Sequence, residues 1–233
     1  AGPIDYSYVL LENRYRGSEE LITERLSYYV PFFKGVSAPV LEMGSGRGEL
    51  QTLFKEAGIP SYGVEMDPAM AEACKDKGLK VVLSDGLSHL EGLEDHSLGG
   101  LIAIQGIEHL TQEQLKQLAN LCLKKIKPGG KVIFETINTE SMVALARNYF
   151  RDPTHVFPLH PETMKFMLGL MGLKVISVNK LSPYSEEAAL KEIEVGEFMT
   201  PKWAVTIETL NRNIRRLNEL LYGHQDYCIV AEV

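Results

Sequence analysis

Three observations predict an α/β fold built on a doubly wound, mostly parallel sheet. Apolar strand-like runs alternate with helical patterns from residue 39 to 137, and right-handed crossovers turn such an alternation into a parallel sheet. The first run, Val40-Leu41-Glu42-Met43, stops at Gly44-Ser45-Gly46-Arg47-Gly48, where glycines at alternate positions permit a sharp turn into a helix. A chain of 233 residues, 45% hydrophobic, can bury one large core of the size such a domain needs.

In chain order, residues 18 to 33 predict a helix ahead of the sheet. Ser18 can cap it, Glu19 and Glu20 lie in its first turn, and Leu21, Ile22, Leu26 and Tyr29 recur at helical spacing. A second strand, Ser61 to Glu65, precedes Asp67-Pro68, a proline-started helix. The third strand runs from Leu79 to Leu83, the fourth from Gly100 to Gln105, and the fifth from Gly129 to Thr136 behind Lys127-Pro128. Thr111 to Ile126 has a clear helical pattern, with Leu115, Leu118, Leu121 and Leu123 apolar and Thr111 as its cap. Pro161 to Met171 predicts another helix, then Leu173 to Leu181 and Asp226 to Val233 two final strands. Between them Ala204 to Tyr222 carries Ile207, Leu210, Ile214, Leu217 and Leu221 at intervals of three and four, an amphipathic helix reached through a glutamate-rich linker, 182–200, expected to be mobile. The chain thus divides into an N-terminal cap segment and helix (1–37), a core (38–181) containing a long loop (136–162), a helical insertion (182–224) and a terminal strand (225–233).

The glycine turn is the first pointer to a ligand. A dinucleotide-binding turn is expected to read G-x-G-x-x-G, because its helix N-terminus accepts a pyrophosphate. Here the third glycine comes one residue early, and Glu42 precedes the first by two. Glu42 repels a phosphate, while the glycine amides and Arg47 can meet a carboxylate, which suits a ligand bearing an ammonium and a carboxylate. S-adenosylmethionine (SAM) is such a ligand. Glu65 follows Gly44 at close to the ~20-residue interval of a ribose-binding carboxylate. Asp85, in Ser84-Asp85-Gly86, can accept from an adenine amino group, although the same tripeptide is strong turn chemistry.

The glycine turn, Glu65, Asp85, the Glu108-His109-Leu110 strand exit and the Lys127-Pro128-Gly129-Gly130 turn resemble, in order and spacing, the class I SAM-dependent methyltransferases. The resemblance implies a Rossmann-like seven-stranded sheet closed by an antiparallel C-terminal strand, SAM as donor and S-adenosylhomocysteine as product. It implies a donor site on Glu42, Gly44, Ser45, Gly46, Arg47, Gly48, Glu65, Met66, Asp85, Gly86 and Gln105. Arg14, Arg16 and Arg47 are the candidates for the carboxylate of its methionine part. The Asp152-Pro153-Thr154-His155 stretch and the N-terminal Glu12-Asn13-Arg14-Tyr15-Arg16-Gly17 are similar to a narrower group that methylates surface polysaccharides, including O-antigen chain-terminating enzymes. This narrower likeness implies an oxygen acceptor on a saccharide or phosphosaccharide. A small-molecule O- or N-methyltransferase and a non-catalytic SAM-binding regulator are the alternatives. An NAD-dependent oxidoreductase needs the glycine spacing this chain lacks, and an aminopropyl transferase needs a more acidic pocket than Gln105-Gly106-Ile107-Glu108 offers.

His109 and His155 are the candidate general bases for a hydroxyl acceptor. Bracing the 136–162 loop through a hydrogen bond is the other reading of His155. Strand geometry continued past Ile107 turns Glu108 away from His109. No Cys or His cluster completes a metal set with His155 and His160, so no metal is expected. Cys74, Cys122 and Cys228 are widely spaced and read as core thiols. A net charge of −7, from 24 basic and 31 acidic residues, argues against a nucleic-acid footprint. No run approaches the ~18 apolar residues of a membrane span, and no charged-then-apolar N-terminal signal is visible, so cytoplasmic residence is the default expectation. The 204–222 helix is expected to pack over the sheet edge, with a dimer contact or a lid as alternatives, and the chain to be a monomer or a homodimer through that helix.

Overall fold

The computed structural model describes residues 17–196 and 199–233. A seven-stranded sheet runs in the order β3-β2-β1-β4-β5-β7-β6, from strands β1 (Val40–Met43), β2 (Ser61–Glu65), β3 (Val81–Leu83), β4 (Leu98–Ile104), β5 (Ile126–Ile137), β6 (Lys174–Leu181) and β7 (Asp226–Glu232). β1 to β5 are parallel, whereas β7 inserts antiparallel between β5 and β6, Phe134 facing Ile229. This is the expected mostly parallel sheet with its C-terminal antiparallel strand. The order in which strands are added to the sheet reverses between β1 and β4, and that switch point opens at the C-terminal strand ends, where ligands bind in such sheets.

Alternation along the central strands builds a core on each face. Leu41, Leu101, Ala103, Val132, Phe134, Tyr227 and Ile229 face α4 (Gly86–Glu91), α5 (Gln112–Lys125) and α6 (Pro161–Leu170). Val40, Ile102, Ile133, Cys228 and Val230 face α1 (Glu19–Leu26), α2 (Glu49–Glu56) and the turn after α1, whose Tyr29 and Phe33 are fully buried. Both faces are covered, so the strands read as continuous apolar runs. All three cysteines are free and buried, as expected.

Local signals set the helix starts. The Ser18 hydroxyl accepts from Leu21 N at 3.3 Å, Asp67 caps the proline-started α3 (Pro68–Asp76), and Thr111 forms a capping box with Gln114 on α5. The single helix expected over 18–33 instead ends at Leu26 and continues as a 3-10 turn, Ser27–Phe33. Pro31 lies inside that turn; it has no N–H to donate, and its ring crowds the carbonyl four residues back in an α-helix.

The insertion departs furthest from expectation. α7 (Pro201–Leu221) buries Ile207 and Asn211, while Leu210 and Leu217 stay exposed. The linker expected to be mobile is tied to this helix. Asn211 accepts from Ile193 N and donates to Ile193 O (2.8 and 2.9 Å), and Asn218 does the same for Leu190 (2.8 and 2.8 Å). Arg215, between them on the same helical face, pairs with Glu192 at 2.6 Å. Two amides thus stand in for a neighbouring strand, satisfying backbone that has no ladder partner. Asn211→Ala, which removes both bonds to Ile193, is expected to cost about 1–3 kcal/mol in denaturant unfolding. It should also make the 186–200 linker the first site of limited proteolysis; a cleavage pattern identical to wild type would show that the asparagine pair does not hold it.

Candidate active site

The β1–α2 turn is left-handed at every glycine: φ is +79° at Gly44, +51° at Gly46 and +82° at Gly48. A Cβ on Gly48 would lie 2.5 Å from Leu79 Cδ1 and 2.9 Å from Cys74 Sγ, so this glycine is required by packing of the turn against α3 and the start of β3. A Cβ on Gly44 would meet nothing within 4 Å, so open space lies beside the backbone there. Glu65, at the tip of β2, joins the two turns, its carboxylate accepting from Gly46 N at 2.8 Å and from Asp67 N at 3.0 Å. Glu42 is buried beneath the turn and accepts from Gln51 Nε2 at 2.9 Å. Ser45 is buried against Gly63, its hydroxyl without a hydrogen-bond partner among the described residues.

Next along the sheet edge, Met66 is 67% exposed, and Asp85 caps α4 by accepting from Ser88 N at 2.8 Å. Gly86 is a packing glycine, since a Cβ there would come within 2.6 Å of the Met43 side chain. Two expected ligand-facing side chains are engaged elsewhere. The Arg47 guanidinium, expected on a carboxylate, donates to Glu49 at 2.7 Å and to the Gly17 carbonyl at 3.2 Å. Gln105, at φ +50°, donates to Glu135 at 3.2 Å and Asp226 at 2.9 Å, which directs its side chain into the sheet end. Arg14 and Arg16 lie outside the described residues.

Past β4 the strand does not persist. Ile107–His109 is a 3-10 turn, which overturns the divergence expected of Glu108 and His109. The long loop crosses over this turn, Val156 N donating to Glu108 O at 2.9 Å, and brings His155 to His109 with ring centroids 4.8 Å apart. One ligating atom from each of Glu108, His109 and His155 lies within 4.8 Å of the others. The set joins His155 to His109 and to a carboxylate brought in by the turn, and it leaves out His160, with which the sequence paired His155.

Hydrogen bonds fix both imidazoles. His155 Nδ1 donates to the Tyr149 carbonyl at 2.7 Å, which braces the loop as expected and leaves Nε2 as its basic nitrogen. Thr154 Oγ1 donates its one proton to Asp152 at 2.6 Å, so at 2.9 Å it accepts from His109 Nδ1. Burial, then the neighbouring His155, lowers the His109 pKa, which favours the neutral ring. Glu108 is 1% exposed, and burial raises its carboxyl to about 8 despite the nearby Thr136 hydroxyl. Neither of its oxygens makes a hydrogen bond among the described residues.

Sequence reasoning missed the polar group behind Gln105. Tyr29 donates to the buried Glu135, and Arg25 pairs with Glu135 at 3.3 Å and Asp226 at 3.4 Å. Nothing local marks these residues, which come from a helix, a 3-10 turn and two distant strands. The Asp152–Thr154 pair carries the local signal of turn chemistry, which sequence reasoning did not use, and nothing local marks its contact with His109.

A doubly wound sheet with a left-handed glycine turn and two strand-end acids at its switch point defines an α/β protein that holds a nucleoside-bearing cofactor. Residues 41–134 match the family described as methyltransferase domain. A solved SAM-dependent methyltransferase from Archaeoglobus fulgidus superimposes with a TM-score of 0.89 at 38% identity, over 98% of this chain and 100% of that one. The ribosomal protein L11 methyltransferase of Paraburkholderia phytofirmans is 29% identical over 113 residues, 48% of this chain and 36% of that protein. An uncharacterized methyltransferase of Anoxybacillus flavithermus is 28% identical over 109 residues, 46% of this chain and 51% of that one. This chain thus spans only about a third to a half of those two curated relatives. It belongs to the SAM-dependent methyltransferases, and its cofactor is SAM, for which the open space beside Gly44 leaves room.

The two outer glycines of the turn are expected to separate in denaturant titration. Gly48→Ala, strained in φ and overpacked, should cost about 2–5 kcal/mol, and Gly44→Ala, strained in φ alone, about 1–2 kcal/mol. Equal costs would show that Leu79 and Cys74 yield to a methyl group at Gly48.

Proposed function

We propose that this chain transfers the methyl group of SAM to a hydroxyl of a saccharide or phosphosaccharide, bound between the β4 exit and the 136–162 loop. The observation that carries this reading is the convergence of His109 and His155 beside the switch point, each held through Nδ1 with Nε2 as its basic nitrogen. A hydroxyl acceptor benefits from such a base, since it gains nucleophilicity as its proton leaves. The loop adds Asp152 and Thr154 as polar contacts and Phe150, 68% exposed, as an aromatic face against which the C–H face of a sugar ring can stack.

The donor assignments rest on placement at the strand ends. The Gly44 and Gly48 amides donate to the Val64 and Ser45 carbonyls, so the Gly46 amide and Glu42 take the methionine end, with Ser45 against its chain. Glu65 takes the ribose hydroxyls after giving up its bond to Gly46, Met66 covers the adenine ring, and Asp85 with the Gly86 amide meets the adenine edge. Gln105 contributes backbone only. SAM supplies, when bound, a methyl carbon on a positive sulfur, so displacement breaks the carbon–sulfur bond, forms a carbon–oxygen bond and leaves S-adenosylhomocysteine. His155 takes the hydroxyl proton at Nε2, with Tyr149 holding the ring's orientation. His109, tied through Thr154 to Asp152, is the second proton acceptor. Positioning of the oxygen in line with the donor supplies much of the remaining acceleration.

Calorimetry with SAM, S-adenosylhomocysteine and NAD should show binding of the two adenosyl ligands alone, weakened by Glu65→Ala. With a glycan acceptor, His155→Ala or His109→Ala should lower turnover by roughly 10²-fold or more with SAM affinity unchanged. Full turnover in both variants would remove these histidines as the base, and methylation of amines but not hydroxyls would overturn the oxygen acceptor.

The outer face of α7 supports a homodimer. Trp203, Leu210 and Leu217, spaced by seven residues, are 62%, 45% and 44% exposed and form a stripe suited to a second copy. Sedimentation should show a dimer that Leu210→Glu with Leu217→Glu converts to monomer; a monomeric wild-type chain at tens of micromolar would remove this contact.

A further inference from the structure

We propose that Glu108, His109 and His155 form a binding site for a divalent transition-metal ion on the acceptor side of the switch point. Three features of the geometry point there. The first is convergence: one donor atom from each residue lies within 4.8 Å of the others. Ligands at about 2.0–2.2 Å from one ion stand roughly 3–3.5 Å apart, so closure requires side-chain movements of an ångström or so and no change of backbone.

The second is the state of Glu108. Its side chain is 1% exposed, and neither carboxylate oxygen has a hydrogen-bond partner among the described residues. No described salt bridge reaches it; Arg25, the cation of this region, is taken by Glu135 and Asp226. A buried carboxyl group without a donor costs free energy that a bound cation recovers.

The third is what holds the histidines. A metal-ligating imidazole donates its other ring N–H to a carbonyl or an oxygen backed by a carboxylate, which fixes the ring and sharpens its donor nitrogen. His155 does this to the Tyr149 carbonyl, and His109 to Thr154, which is backed in turn by Asp152. Asp152 Oδ2, 3.9 Å from His155 Nε2, lies within reach of the same ion. Two imidazoles and one carboxylate suit Zn²⁺, Mn²⁺, Fe²⁺ or Co²⁺ rather than Mg²⁺ or Ca²⁺, which prefer oxygen ligands throughout.

Three protein ligands leave positions open for the acceptor oxygen. An ion there would lower the pKa of that hydroxyl, whose proton would pass to solvent water, and would replace a histidine as the means of its activation, because both roles use the same nitrogens. This catalytic consequence rests on the oxygen-acceptor reading, whereas ion binding does not.

The test is therefore made on the chelator-treated full chain without SAM or acceptor. Calorimetric titration with Zn²⁺ and Mn²⁺, and absorption of the Co²⁺-loaded protein, should show one ion per chain. The isosteric Glu108→Gln, and separately His155→Ala, should weaken it at least tenfold and abolish the Co²⁺ d–d bands, while Mg²⁺ binds far more weakly to wild type. The absence of a stoichiometric site in the wild type would overturn the proposal. So would an unchanged calorimetric affinity in Glu108→Gln and His155→Ala variants whose circular dichroism shows them folded. Neither outcome depends on whether the chain methylates a sugar.

Discussion

The backbone of the β1–α2 turn is the constraint on which the molecule depends. Three left-handed residues in five let the central strand reverse into α2 while the turn lies flat against its neighbours. Gly48 seats against Leu79 and Cys74, and Ser45 against Gly63, so the turn is keyed to β2, α3 and the chain entering β3. Glu65 then locks the adjacent β2–α3 turn to it by accepting one amide from each. A site assembled from backbone groups on a doubly covered sheet is rigid because the sheet is rigid. Beside Gly44 the same packing leaves open space.

A second constraint is buried charge at the exit of β4. Glu108, Glu135 and Asp226 are all buried within one neighbourhood; Glu135 and Asp226 add to the cost of ionising Glu108, and Asp226 to that of ionising Glu135. Glu135 and Asp226 are compensated by Arg25, Gln105 and Tyr29, a network that fixes the strained Gln105 and the antiparallel β5–β7 pair together. Glu108 stands apart from that compensation, one residue from the histidine pair. Two acids are satisfied by protein, whereas neither oxygen of the third makes a hydrogen bond among the described residues.

The loop from β5 to α6 connects these constraints to chemistry. Val156 is tethered to the Glu108 carbonyl and His155 to the Tyr149 carbonyl, so the loop's imidazole is fixed relative to the 3-10 turn it covers. Loop residues held in this way by backbone bonds to a scaffold can vary around the site while the site's geometry stays fixed.

The sequence by itself determined the parallel sheet, the helix starts at Ser18, Pro68 and Thr111, the left-handed glycine turn and the strand-end acids. Each of these is a local consequence of residue type and period: an alternating strand, a capping hydroxyl, a residue without a Cβ. Tertiary structure decided the rest. Pro31 shortened α1 into a 3-10 turn, because helical period alone does not count a missing N–H. Asn211 proved to be buried and Asn218 partly so, while Leu210 and Leu217 stayed exposed, because both amides bind backbone of the linker that has no ladder partner. Arg47 and Gln105 were drawn to Glu49, Glu135 and Asp226, partners chosen by the fold. The convergence of Glu108, His109 and His155 depends on a turn that breaks strand alternation and on a loop that closes over it. Spacing along a chain records neither, since distances between remote residues exist only once the core has fixed the elements that carry them.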